Sequence, residues 1–266
     1  MYKKKAGYTI KRKLAKKRVF KRKAPLVTKP MLYRAINRSL ETKLATESYT
    51  LASFNGPISG NADFLTPLPS ITIGTDQNNR IGHSIRPIKL VIRGYVAFQS
   101  NSLAGQQNAD AALLGVRLFC FRDRATSGYQ NAVYNTQILN VGGVPSTYSG
   151  SPMSFLTPHN SDQFIFYTDK RMKICKPYGY TNNATPTTAN AITGMDPSMY
   201  HPFTITLTQK QLPASLKYDA LDSTGYPVNF APYMALGYSD LLTQSIDSIS
   251  TRVCMEWSST LYFKDA

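Results

Sequence analysis

RVCMEWSSTLYF, residues 252–263, alternates apolar and polar side chains over almost its full length. Val253, Met255, Trp257, Leu261 and Phe263 fall on one side, and Arg252, Glu256, Ser258 and Thr260 on the other. Side chains of a strand point to opposite faces in turn, so this is a strand with one face in a core and one toward water. Trp257 is on the apolar side, which makes it a core residue rather than a base-stacking platform.

Working outward, the same period recurs. In IKLVIRGYVAF (88–98) Ile88, Leu90, Ile92, Val96 and Phe98 share a face, opposite Lys89, Arg93 and Tyr95. ALLGVRLFCF (112–121) is nearly continuous in apolar residues, the pattern of a strand covered on both faces. FIFYT (164–168), followed by MKIC after an Asp169-Lys170-Arg171 break, predicts one further strand or a pair. FTITLT (203–208) and APYMALGY (231–238) complete the set. The intervals 99–111, 122–160, 176–200 and 209–230 are rich in Gly, Pro, Asn, Ser and Thr, and loops of that length usually carry function. Only YQNAVYNTQIL (129–139) suggests a short helix among them. Strands without alternating helices predict an all-β two-sheet sandwich or jelly roll and argue against doubly wound or barrel α/β folds. No repeat of 20 to 50 residues is visible.

The other end of the chain differs. Residues 1–23, MYKKKAGYTIKRKLAKKRVFKRK, hold twelve Lys or Arg and no Asp or Glu. Of 31 basic residues, 19 are left for the rest of the chain against 15 acidic ones, a balance of +4 out of +16. Residues 1–29 therefore read as a disordered basic arm bounded by Pro25 and Pro30. MLYRAINRSLETKLA then spaces Leu32, Ile36, Leu40 and Leu44 four apart, which predicts a short helical or transition segment over 30–46. The folded domain is expected over 47–266.

Known catalytic patterns are missing. The sequence has no GxxxxGK[ST], HExxH, CxxC or GxSxG. His83, His159 and His201 stand in separate segments, each expected in a structural or surface role. Neither Asp123 with Asp162 nor Asp219 with Asp222 is spaced for acid–base work, and no EF-hand loop supports calcium between subunits. No enzyme activity, cofactor or metal site is expected. Cys120, Cys175 and Cys254, odd in number and set in apolar runs, read as buried reduced thiols of a protein folded inside a cell. No secretory signal or membrane span is expected, so Asn37-Arg-Ser39 and Asn183-Ala-Thr185 read as chance sequons.

Function concentrates in the arm. Its natural partner is a polyanion, because each Lys or Arg on a phosphate releases counterions. The candidate nucleic-acid-binding residues are Lys3, Lys4, Lys5, Lys11, Arg12, Lys13, Lys16, Lys17, Arg18, Lys21, Arg22 and Lys23, joined by Arg34 and Arg38 beside the apolar stripe. Nine of the twelve arm cations are lysine, which favours charge neutralisation over bidentate reading of bases. KKRVFKRK (16–23) also fits a nuclear-localisation patch.

A basic arm, a β sandwich with long loops, no active site and a closing strand together resemble capsid proteins of small icosahedral viruses. ITIGTDQNNRIGHSIRPIKLVIRGYV (71–96) is similar to the turn-then-strand segment of capsid proteins from circular, Rep-encoding single-stranded DNA (CRESS-DNA) viruses. The likeness is carried by Gly74-Thr75, Asn79-Arg80-Ile81-Gly82 and the strand 88–98. FIFYTDKRMKI, WSSTLYFKDA and ETK at 41–43 resemble further family elements, and together these segments cover about a third of the chain. The resemblance implies a single jelly roll of eight strands in two facing sheets. It also implies a homo-oligomeric shell on the order of sixty copies, and a single-stranded circular DNA packaged by the arms. A virion location, a nuclear stage reached through the import machinery and no membrane partner follow. Capsids of small or satellite RNA viruses share this plan, and a host-type basic nucleic-acid-binding protein is a further alternative, against which the +4 body speaks.

Overall fold

The computed structural model describes residues 41–54, 58, 64–98, 113–125, 137–175, 200–219, 225–241 and 253–265. The basic arm, most of the 30–46 segment and most of the 129–139 helix expectation lie outside the described residues.

Ten strands are described: β1 (Lys43–Phe54), β2 (Ser84–Phe98), β3 (Leu113–Asp123), β4 (Leu139–Val141), β5 (Val144–Ser146), β6 (Phe164–Cys175), β7 (Tyr200–Thr208), β8 (Leu216–Lys217), β9 (Tyr233–Asp240) and β10 (Val253–Asp265). One sheet runs β1-β10-β2-β7, with β8 beside the start of β2, and the other runs β6-β3-β9. Leu65 forms an antiparallel bridge to Met234, adding a fourth line beyond β9. With the two-residue β8 and the β4–β5 hairpin set aside, that bridge takes second place among eight lines in chain order. The sheets then read first-eighth-third-sixth and second-seventh-fourth-fifth. First pairs with eighth, second with seventh, third with sixth and fourth with fifth, all antiparallel. That nesting is a jelly roll.

The core between the sheets follows from the alternation. Leu90, Ile92, Val96, Met255, Trp257 and Leu261 from one sheet share a buried cluster with Val116, Leu118, Met234, Leu236 and Tyr238 from the other. Trp257 stacks on Tyr49 with ring centroids 4.5 Å apart. The neighbouring β2 makes room for that indole at Gly94. A Cβ there would run into the carbonyl oxygen of Glu256 and come within 2.8 Å of both Phe203 Cζ and Trp257 Cβ. Gly94→Ala is expected to destabilise by about 1 to 3 kcal/mol, read as a lower urea midpoint with an unchanged slope, because a carbonyl inside a ladder cannot step aside.

Two β-bulges account for what periodicity missed. On β2, Lys89 pairs with Tyr262 and Pro87 with Phe263, so Ile88 is the extra residue. Ile85 and Pro87 face inward before it and Leu90 and Ile92 after it, which leaves Ile88 only half-buried rather than in the core. On β6, Cys120 pairs with Thr168 and Phe121 with Phe166, so Tyr167 is the extra residue. The parity change after it mimics a strand break at Asp169-Lys170-Arg171, where in fact one strand continues. A third correction concerns Leu44. It stands in β1, 39% exposed, so the helical stripe does not extend that far and the sheet begins four residues before 47.

The two sheets differ on their outer faces. The β3–β6 connection folds back over the β6-β3-β9 sheet through the β4–β5 hairpin and the short helix α1 (Pro152–Leu156). It buries a second cluster that includes Ile58, Phe119, Phe121, Ile138, Leu139, Tyr148 and Phe164. This is why β3 is apolar on both sides. Gly142 and Gly143, at φ of 60° and 90°, supply the left-handed turn of the hairpin. Ser151 caps α1 by accepting from Ser154 N, with Pro152 opening the helix. Among the described residues no helix is long and apolar enough to cross a membrane.

Candidate nucleic-acid interface

All fourteen predicted nucleic-acid-binding residues, from Lys3 to Arg38, lie outside the described residues. The structure does show how the chain that follows them enters the body. Lys43, the first residue of β1, is buried, with its ammonium 2.8 Å from Asp265 Oδ2 and donating to Asn79 O at 3.0 Å. The other oxygen of Asp265 accepts from Ile81 N at 3.2 Å. Three segments far apart in sequence, 41–43, 79–82 and 257–265, therefore meet at one point. They are the segments that carried much of the family resemblance.

The turn at this junction explains its own residues. Asn79 donates from Nδ2 to Asp76 Oδ2 at 3.2 Å and accepts from Thr72 Oγ1 at 3.2 Å. A Cβ on Gly74 would press on that carboxamide and push it from its bonds to Thr72 and Asp76. Arg80 is 1% exposed. It donates to Ile71 O at 3.1 Å and Gly82 O at 2.6 Å, and its guanidinium lies 4.3 Å over the Tyr218 ring. A buried arginine satisfied by turn carbonyls and an aromatic face is a scaffold, not a phosphate ligand.

A second buried arginine organises the opposite sheet. Arg117, fully buried on β3, forms a two-pronged pair with Asp169 on β6, at 2.8 Å from Nε and 2.6 Å from Nη2. Its Nη1 donates to Ser154 O at 2.9 Å and Thr157 O at 2.5 Å, clamping the end of α1 onto the sheet. His159 Nδ1 is 3.1 Å from Asp169 Oδ2, and Arg171 is 3.9 Å from the same oxygen. Burial pushes the Asp169 carboxyl up, but the hydrogen bonds and charge of Arg117, with His159 and Arg171 adding to them, hold it below the usual range. Sequence reasoning did not pick out Arg117 or Asp169, although an arginine inside the apolar run ALLGVRLFCF requires a carboxylate nearby.

His83 and His201 are exposed. No group of three or more His, Cys, Asp or Glu that could hold a metal occurs among the described residues. All three cysteines are free, and burial raises the Cys120 thiol to about 12. Cys175, expected buried, is only half-buried because it ends β6.

The outer face of the β1-β10-β2-β7 sheet contrasts with its covered counterpart. Across its strands the outward rows are Leu44–Tyr262–Lys89–Thr208, Thr46–Thr260–Val91–Thr206 and Ser48–Ser258–Arg93–Thr204. Thr46, Ser48, Lys89, Arg93, Thr204, Thr206 and Thr208 are exposed.

No protein-family model and no curated protein sequence matches the chain. Among solved structures it is similar to the infectious bursal disease virus VP2 subviral particle at 11% identity and a TM-score of 0.29, over 84% of this chain and 33% of that one. It is also similar to a heated full particle of Israeli acute paralysis virus at 11% identity and a TM-score of 0.26, over 98% of this chain and 81% of that one. The chain spans about a third of the length of the first of these. At such scores the fold assignment rests on strand nesting and register. By those the protein is an all-β jelly roll.

Proposed function

We propose that the protein is a viral capsid protein that assembles with copies of itself into a small closed shell and packages nucleic acid through residues 1–23. The observation that carries this reading is the segregation of charge. Twelve cations without one acid precede a body of +4, and that body is a jelly roll. A body near neutrality lets copies pack without strong mutual repulsion, while the arm neutralises phosphate. If every arm in a shell of sixty faced the interior, together they would supply on the order of 700 positive charges.

The family resemblance of 41–43, 71–96, 164–174 and 257–266 favours circular single-stranded DNA as the cargo, with a nuclear stage served by KKRVFKRK. The resemblance alone carries this finer reading; three of its four segments meet at the junction of Lys43, Asn79, Ile81 and Asp265. Expression followed by electron microscopy and nuclease digestion tests it. Uniform shells with protected, DNase-sensitive nucleic acid after disruption are expected. Protected RNA would redirect the cargo to the RNA-virus alternative, and monomers that bind no nucleic acid at any salt would overturn the proposal.

A further inference from the structure

We propose that the outer face of the β1-β10-β2-β7 sheet is a second phosphate-contacting surface for single-stranded nucleic acid, distinct from the arm. The inference rests on the nucleic-acid reading above and adds to it a specific set of body residues.

A sheet face that meets only water has no reason to collect one sign of charge. Here Arg86, Lys89 and Arg93 are exposed along β2, and Lys264 stands on β10. Arg86 sits directly opposite Lys264 in the β2–β10 register. An anion laid across them is attracted by both cations. Lys89 and Arg93, four residues apart, are separated by about 13 Å along the strand. They sit among the exposed hydroxyls of Thr46, Ser48, Thr204, Thr206 and Thr208. Hydroxyls and cations are the groups that most often bind phosphate oxygens.

Aromatic rings supply the remaining part of a single-strand platform. Lys89 Nζ lies 4.3 Å over the Tyr262 ring, and Tyr95 stacks on Tyr200 with centroids 4.9 Å apart. Rings beside cations bind bases without sequence preference. Glu256, beside Tyr95 in the β2–β10 register and the one outward carboxylate of these strands among the described residues, accepts from the Tyr95 hydroxyl at 2.6 Å. A contact between copies would need the opposite composition, since interface cores are depleted in charge. Of the exposed large apolar side chains, Leu44 and Tyr200 lie on this face, whereas Val141, Val144, Met153 and Leu156 belong to the connection that covers the other sheet. Charge complementarity therefore selects a polyanion for this face.

The test uses the full-length chain carrying Arg86→Gln, Lys89→Gln and Arg93→Gln together, with a 30-nucleotide oligothymidylate titrated over a range of NaCl. The slope of log K against log salt is expected to fall by about 2, at about 0.7 per lost contact. A four-fold rise in salt then weakens the variant about 20-fold less than the parent. Lys173→Gln with Arg124→Gln, exposed cations on the other sheet, should leave the slope unchanged. An unchanged slope in the triple variant, with binding still lost on deleting residues 1–23, overturns the face and leaves the arm standing. Loss of self-association with parental oligonucleotide binding overturns it in favour of a contact between copies. A parent chain that binds no oligonucleotide overturns both readings.

Discussion

Deleting residues 1–23 is expected to abolish nucleic-acid packaging while leaving the thermal midpoint of the body within a degree or two of the parent. The expected binding loss is the largest effect of any change to this chain. Twelve cations on a single strand contribute a salt slope of up to about 8, at about 0.7 per contact. Between 50 and 200 mM salt a slope of that size corresponds to about five orders of magnitude in affinity. Stability should not follow, because the described core takes its first residue at Ala45 and the first described ion pair at Lys43. Replacing the nine arm lysines and three arginines by glutamine separates charge from length and should reproduce the deletion. Swapping the three arginines for lysine should leave binding nearly intact, since point charge rather than bidentate geometry is what a sequence-blind arm uses. Filter binding against oligothymidylate and a mixed-sequence oligonucleotide, with calorimetry of the body, checks all three. A shortened chain that no longer folds would refute the independence of arm and body.

The fold was legible wherever strands keep strict parity. RVCMEWSSTLYF is buried at Val253, Met255, Trp257, Leu261 and Phe263, as its alternation requires, and the apolar run around Leu118 is covered on both faces. What periodicity could not show was a change of parity. One extra residue at Ile88 or Tyr167 moves every later side chain to the opposite face, and a bulge leaves no mark in composition. The β4–β5 hairpin was readable in principle, since Gly142-Gly143 between Val141 and Val144 is a hairpin signal, but three-residue strands fall below any useful window. α1 was equally short. For the site, the sequence located charge in the arm and missed charge inside the body. Arg117 signals a buried partner by standing in an apolar run, but which groups satisfy it, Arg80 and Lys43 is set only when topology brings Asp169, Gly82 and Asp265 near.

Asp169→Asn is expected to destabilise the body by about 3 kcal/mol and to lower the thermal midpoint by about 6 to 12 °C. Removing one partner of a buried pair costs about 3 to 5 kcal/mol, since the remaining charge stays desolvated. The low end applies because the Asp169 side chain keeps 16% of its surface while Arg117 keeps none. The guanidinium would still reach Ser154 and Thr157, so the loss should come from its uncompensated charge and not from release of α1. Arg117→Met in the same chain should recover part of the loss, because an apolar side chain there leaves no unpaired charge. The pH dependence has a definite sign. The carboxyl is held below its ordinary value in the folded state, so its contribution is fully present above the unfolded value of about 3.9 and is lost as pH falls through the lower folded one. The parent should therefore lose stability steeply below about pH 4, and the asparagine variant, with no carboxyl to protonate, should show a shallower acid limb. Urea unfolding at steps between pH 2 and 7 measures both quantities at once. Identical acid limbs for the two chains would mean that Asp169 is not the carboxylate that compensates the buried charge of Arg117.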